Sequence, residues 1–369
     1  MNSIFYTIGM VLLWAVNLLN GTGLGAAYRT SEYARIAVLV VVLLCLASRA
    51  RKEGGVFVEK RYFNVAAPLM ILFIASSMIH GQKFMSIDYL WVFMIVYILS
   101  MAKPTMNALR LTAICYGALG LAILWSFNYT DALKGWNPNS IAMIGFFSFL
   151  VFTIPFFGMS DWHSFLMLPA VGGAYAYLIW PTDSRSCSFA IVIALILVLG
   201  LLPARKVITS SAGVFLVLLV PLMIAVLGCM FSALGDATQL GAWSEQIFGK
   251  SLFNGRDTAW MQGFQQLMRT PFFGNGYIDS GIYHNSAVAC LAAYGIIGYY
   301  LWLRLFHTIL MDGRRYVGDT CVAGGITAFL VLFCQQAVEL GIFASNPNLI
   351  PYVILGIVLG RVNYLRSGK

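Results

Sequence analysis

The stretch YHNSAVACLAAYGIIGYYLW, residues 283–302, decides the fold. After Tyr283, His284 and Asn285 it runs almost wholly apolar, over a length that crosses about 30 Å of hydrocarbon as a helix. A membrane helix that opens on an imidazole and an amide poses a choice. Either those residues are a polar cap in the headgroup region, or the helix end is a chemical site.

The rest of the chain extends the membrane reading. Soluble domains are about 45–50% apolar and 25% charged; this 369-residue chain is 60% hydrophobic and 10% charged. Apolar runs fall at approximately 3–20, 32–48, 64–80, 87–102, 110–127, 140–158, 165–181, 186–202, 212–231, 284–303, 320–338 and 347–361. They predict an all-α polytopic membrane protein of about 12 transmembrane helices, forming a single integral membrane domain over 1–369. The first run has no basic residues ahead of it and reads as an uncleaved span.

With the N-terminus placed in the cytoplasm, 15 of the 23 Lys and Arg fall inside and 8 outside. That asymmetry follows the positive-inside rule, so the net charge of +9 reports topology and no nucleic-acid partner. Cys45, Cys115, Cys187, Cys229, Cys290, Cys321 and Cys334 sit in or beside predicted spans without metal-ligand spacing. Small buried side chains are expected there, with no disulfide framework.

One connection is long. Residues 232–283 lie on the outer side between spans nine and ten, and loops beyond about 15 residues are usually functional or disordered. Trp243, Phe248, Phe253, Trp260, Phe272 and Tyr277 are too many aromatics for a disordered tether. Within the loop, Arg256 to Arg269 reads as an amphipathic helix with Trp260, Met261, Phe264, Leu267 and Met268 on one face. Asn254-Gly255 supplies a start and Pro271 a stop. Such a helix lies flat on the membrane surface or packs over the mouth of the bundle. The glycines of FFGNGY, 272–277, follow no strand and make no nucleotide loop, so a tight turn returning the chain to span ten is expected.

The outer cations are Arg29, Arg35, Lys83, Lys134, Arg185, Lys250, Arg256 and Arg269. Arg185 follows Thr182, Asp183 and Ser184 at the start of span eight, and Arg256 stands at the start of the loop helix. Each has a plain reading: Arg185 snorkels to headgroups, and Arg256 pairs with Asp257 or is solvated. Each also has a chemical one, because helix N-termini present free N–H groups to anions and guanidinium adds a fork matched to phosphate oxygens. Together they outline a pyrophosphate clamp. His284, beside a helix N-terminus that disfavours imidazolium, suits a base accepting a proton from a sugar hydroxyl, with Asn285 or Ser286 capping the helix.

The run from Asn254 to Trp302 resembles the O-antigen polymerase and ligase superfamily. The likeness rests on Arg256, Trp260, Pro271 with Gly274 and Gly276, His284-Asn285, Gly295 with Gly298, and Ser184-Arg185 at an earlier span. The resemblance implies a GT-C-like helical bundle in the bacterial inner membrane and a metal-independent, inverting glycosyltransferase with no cofactor. Its donor would be an undecaprenyl-pyrophosphate-linked glycan on the periplasmic side. Arg185 and Arg256 would hold the pyrophosphate and His284 would act as base. Ser184, Asn254, Trp260 and Asn285 would line the substrate. Partners would be the lipid bilayer, a chain-length regulator and a flippase. The short, poorly charged outer loops look more like a polymerase than a ligase, which would transfer glycan to lipid A-core.

A lipid-linked sugar transporter is a further alternative. Transporters usually gather polar groups near the bilayer midplane. Here the candidates gather at the outer interface, with Glu339 and Gln335-Gln336 at the end of span eleven as the nearest exceptions.

Overall fold

The structure of the chain, a computed structural model, describes residues 3–21, 32–52, 60–82, 87–133, 135–159, 162–233, 242, 246, 253, 255–277, 283–344 and 347–368. Among them are helices and no strand. In chain order these are α1 (Ser3–Gly21), α2 (Glu32–Lys52), α3 (Lys60–Ile79), α4 (Ile87–Ala102), α5 (Met106–Tyr129), α6 (Pro138–Thr153) and α7 (Trp162–Ile179). There follow α8 (Arg185–Val198), the short α9 (Ala204–Thr209), α10 (Ser211–Ala233), α11 (Arg256–Arg269), α12 (Ser286–Gly313), α13 (Thr320–Gln335) and α14 (Leu349–Arg366).

Seven segments, based on α3, α5, α6, α7, α10, α12 and α14, are long and apolar enough to cross a membrane. Five shorter apolar helices, in α1, α2, α4, α8 and α13, fall on the remaining predicted runs. The chain is an all-α membrane protein. Helices α6, α12 and α14 make its centre, with 78%, 78% and 83% of their apolar windows buried, against 33% for α7 and α10 at the periphery. A helix that is apolar all round buries itself where neighbours surround it, and this is where the aromatic core of Phe73, Tyr294, Trp302, Phe306 and Phe343 collects.

Helix α12 is broken at Gly295, whose φ of 66° and ψ of −169° leave the helical region. The break is filled by the segment that follows α11. Asn275 and Gly276 donate their N–H groups to the carbonyls of Ala292 and Ala293, and Ile296 and Ile297 donate to the carbonyls of Pro271 and Phe272. All four bonds satisfy backbone groups that a break inside an apolar environment would otherwise orphan. The approach is so close that a Cβ at Gly274 would overlap the Ala293 backbone, one at Gly295 the Phe272 backbone, and one at Gly276 the Ser76 backbone. The glycines of FFGNGY therefore do more than turn the chain. They lock the segment after α11 into a helix of the core.

A second irregular segment joins α13 to α14. Gln336, Ala337, Glu339, Ile342, Phe343 and Asn348 are buried in it. Side chains replace the missing ladder: Gln336 Oε1 accepts from Ile342 N–H, Tyr89 O–H donates to Ala344 C=O and accepts from Ala344 N–H, and Tyr352 O–H donates to Ile342 C=O. At the other end of α13, Asp319 caps the helix while Arg361 holds its Oδ2 through Nε and a terminal nitrogen, at 3.1 and 2.7 Å. The seven cysteines are all unpaired.

Candidate active site

Helix α11 is held over the ends of α10 and α12 by Trp260 and Gly263, its two buried residues. Gly228 of α10 leaves room for the Trp260 ring, which stacks edge-on to Phe253 and packs with Ala225, Cys229 and Val288. Gly263 does the same for Val288. The helix thus packs against the ends of α10 and α12. Asp257 accepts from Ser232 Oγ at 2.7 Å and so ties the helix start to the end of α10.

That docking delivers Arg256 to Glu339. The guanidinium meets Glu339 Oε1 at 2.9 Å, and His284 Nδ1 lies 3.9 Å from the other carboxylate oxygen. Glu339 is buried, its side chain 7% exposed, while Arg256 and His284 keep 21% and 43% of theirs. A buried carboxylate faces two partly open nitrogen groups. Arg256 is therefore neither paired to Asp257 nor merely solvated.

His284 is the residue before the cap of α12 and adopts φ of 45°, one of three non-glycine residues with positive φ among those described. The conformation is uncommon and costs of order 1–3 kcal/mol where surroundings enforce it. Asn285 enforces it. It is fully buried; its Oδ1 accepts from Ala287 and Val288 N–H, and its Nδ2 donates to the carbonyls of Pro221 and Ala337, both at 2.8 Å. Asn285, expected to line the substrate, thus has its amide engaged by α12, α10 and the segment carrying Glu339. Trp260, expected to do the same, is also enclosed. Fully buried, with an Nε1 that has no hydrogen-bond partner, it anchors α11 instead of facing a ligand.

The start of α8 joins the same corner through buried polar groups. Ser286 Oγ bonds Gln336 Oε1, Gln336 Nε2 donates to Gln335 Oε1 at 2.6 Å, and Gln335 Nε2 reaches Ser186 Oγ and Cys187 Sγ at 3.4 and 3.7 Å. Gln335 and Gln336 cross-link three helix ends. Cys187 lies within electrostatic reach of Glu339. Arg185 opens α8 as expected, after Asp183 in the left-handed conformation, and Ser184 Oγ is buried without a partner. Asn254 lies outside the described residues, as do Trp243, Phe248 and Lys250.

The structure thus groups Arg256, His284 and Asn285 about Glu339 and brings the Ser184–Cys187 turn alongside. Glu339 is the member that sequence reading left out of the site. Its signal was a lone carboxylate amid apolar residues, which must find a cation. Among the described residues, no three His, Cys, Asp or Glu side chains group as metal ligands would. A half-exposed imidazole, a partly open guanidinium and an adjoining helix start with an unpartnered hydroxyl can bind an anion and accept a proton at one place. No protein-family model matches the chain, and no curated protein matches it.

Proposed function

We propose that this protein is a polysaccharide polymerase of the bacterial inner membrane, a glycosyltransferase acting on undecaprenyl-pyrophosphate-linked repeat units. In this reading about 12 spans form a GT-C-like bundle, the N-terminus is cytoplasmic, and the 232–283 loop with its helix is periplasmic. The observation that carries it is the convergence of Arg256 and His284 on buried Glu339 at the start of α12.

The chemistry follows from the groups present. Arg256, with Arg185 and Ser184 at the start of α8, binds the donor pyrophosphate. As the bond from the anomeric carbon to the phosphate oxygen breaks, its electron pair goes to the pyrophosphate, and the guanidinium groups offset the growing charge. The acceptor hydroxyl attacks from the opposite face and inverts the centre, while His284 takes its proton. No step calls on a metal. That all these polar groups gather where loop meets bundle supports transfer over transport, for which midplane groups are the rule.

The test is reconstitution of purified protein with undecaprenyl-pyrophosphate-linked repeats alone, in EDTA, followed by glycan length analysis. A ladder of lengthening products is expected. Single repeats that persist until lipid A-core is added, and then transfer to it, make the protein a ligase. Inactivity on matched substrates under both conditions refutes the glycosyltransferase reading.

A further inference from the structure

The carboxylate of Glu339 is shared unequally. It is bonded to Arg256 at 2.9 Å but stands 3.9 Å from His284 Nδ1, beyond hydrogen-bond reach. Resting on the glycosyltransferase reading above, we infer that Glu339 is a counterion displaced by substrate: it neutralises Arg256 in the geometry seen here and passes to His284 when pyrophosphate binds Arg256.

The argument starts from burial. A carboxylate this enclosed requires a cation or donor within reach, because an unpaired buried charge is strongly unfavourable. Here Arg256 serves, at 2.9 Å. A pyrophosphate brings more negative charge and several oxygens to the same guanidinium, where charge-assisted forked bonds favour it. Glu339 is then pressed by a like charge and must find another partner. Among the described residues, the titratable or charged groups found facing it are Arg256 from α11, His284 from the start of α12 and Cys187 from α8. Of these three, His284 is the one that becomes a cation by accepting a proton.

Closing the gap takes a shift of about 1 Å, the difference between the present separation and an ordinary N–H···O distance. Nδ1 is the ring nitrogen nearer Glu339. Once the gap is closed it donates to the carboxylate, which leaves Nε2 to accept the proton from the acceptor's O–H bond as that oxygen bonds the anomeric carbon. The carboxylate then stabilises the imidazolium so formed. Base and anion site are thereby coupled: the base is completed only once the donor is in place. Glu339 acts through His284 and Arg256, so it is a positioning residue.

The prediction has opposite signs for binding and turnover. In the full-length protein in nanodiscs, Glu339→Gln removes the competing anion while its amide still bridges to Arg256. Affinity for undecaprenyl pyrophosphate without glycan rises about tenfold, one charge-assisted contact's worth, and turnover falls about 10²-fold as the base loses its counterion. Glu339→Asp keeps the charge one methylene farther from His284. Its affinity stays within about threefold of wild type, since the competitor remains, and its turnover still falls. A Gln variant that binds the lipid more weakly, or either variant at full turnover, overturns the handover; if the Gln variant does not fold, the Asp variant decides. A wild-type protein that binds no pyrophosphate lipid refutes the glycosyltransferase reading and the handover with it. One that binds and polymerises beside a Gln variant with loosened binding refutes the handover alone.

Discussion

Substituting Asn285 tests what holds the site together, independently of the reaction. Its side chain makes four bonds: two accepted from the Ala287 and Val288 N–H groups of α12 and two donated to the carbonyls of Pro221 and Ala337. Asn285→Ala removes the cap, a loss of about 1 kcal/mol, and leaves one or two buried carbonyls short of a donor at about 1–3 kcal/mol each. A total destabilisation of about 2–7 kcal/mol is expected, depending on how far the Pro221 carbonyl is still served by its own helix. Asn285→Asp separates the two functions. Aspartate caps helices as well as asparagine, but it presents an oxygen to carbonyls now 2.8 Å from a donor. It should remain destabilised by at least about 2 kcal/mol. The assay is unfolding in detergent followed by tryptophan fluorescence, read as free energy at a common denaturant concentration. If Asn285→Asp unfolds within about 0.5 kcal/mol of wild type, inside the scatter of ordinary surface changes, the two donated bonds carry nothing. Asn285 would then be a helix cap only, free to turn to a ligand.

Three further outcomes follow from the same geometry. Gly274→Ala puts a Cβ into the Ala293 backbone at a φ of 65°, and should lower stability by about 3 kcal/mol or more through strain and broken loop-to-helix bonds. Gly173→Ala, with open space around it, is the control, and equal melting of the two would refute the interlock. Arg256→Lys and Arg185→Lys replace a planar fork by a point charge and should each lose about 10²-fold in polymerisation measured on lipid-linked repeats; near-normal chain growth in both would remove the clamp. His284→Ala should cut turnover by at least about 10²-fold while keeping an L-residue in the same left-handed backbone, so its melting should stay close to wild type. Full activity would eliminate the base.

How much of this was legible differs from residue to residue. The apolar runs mapped onto helices because a chain in lipid must satisfy its backbone within each segment. The loop helix runs from Arg256 to Arg269 as its apolar spacing indicates. What sequence spacing could not give is which polar groups were spoken for. Asn285 and Trp260 stand where substrate contacts were expected, yet burial assigns both to packing. The two glycine pairs, Gly274 with Gly276 and Gly295 with Gly298, read as a turn and a helix feature some 20 residues apart in sequence. The structure shows Gly274 and Gly295 lying against opposite sides of one backbone junction. The site itself follows a rule that emerges only in three dimensions. Three helix starts at the site are each preceded by a left-handed residue: Asp183 (φ 59°) ahead of Ser184 and Arg185, Gly255 (φ 78°) ahead of Arg256, and His284 (φ 45°) ahead of Asn285. Left-handed residues turn the chain sharply, so the helix starts can point toward one corner without long connecting loops. Glycine meets that demand freely; aspartate and histidine meet it at a cost in strain. That a histidine bears the strain, where a glycine would relieve it, is the strongest backbone argument that the imidazole is needed there. His284→Gly should accordingly be as stable as wild type or more so, and inactive.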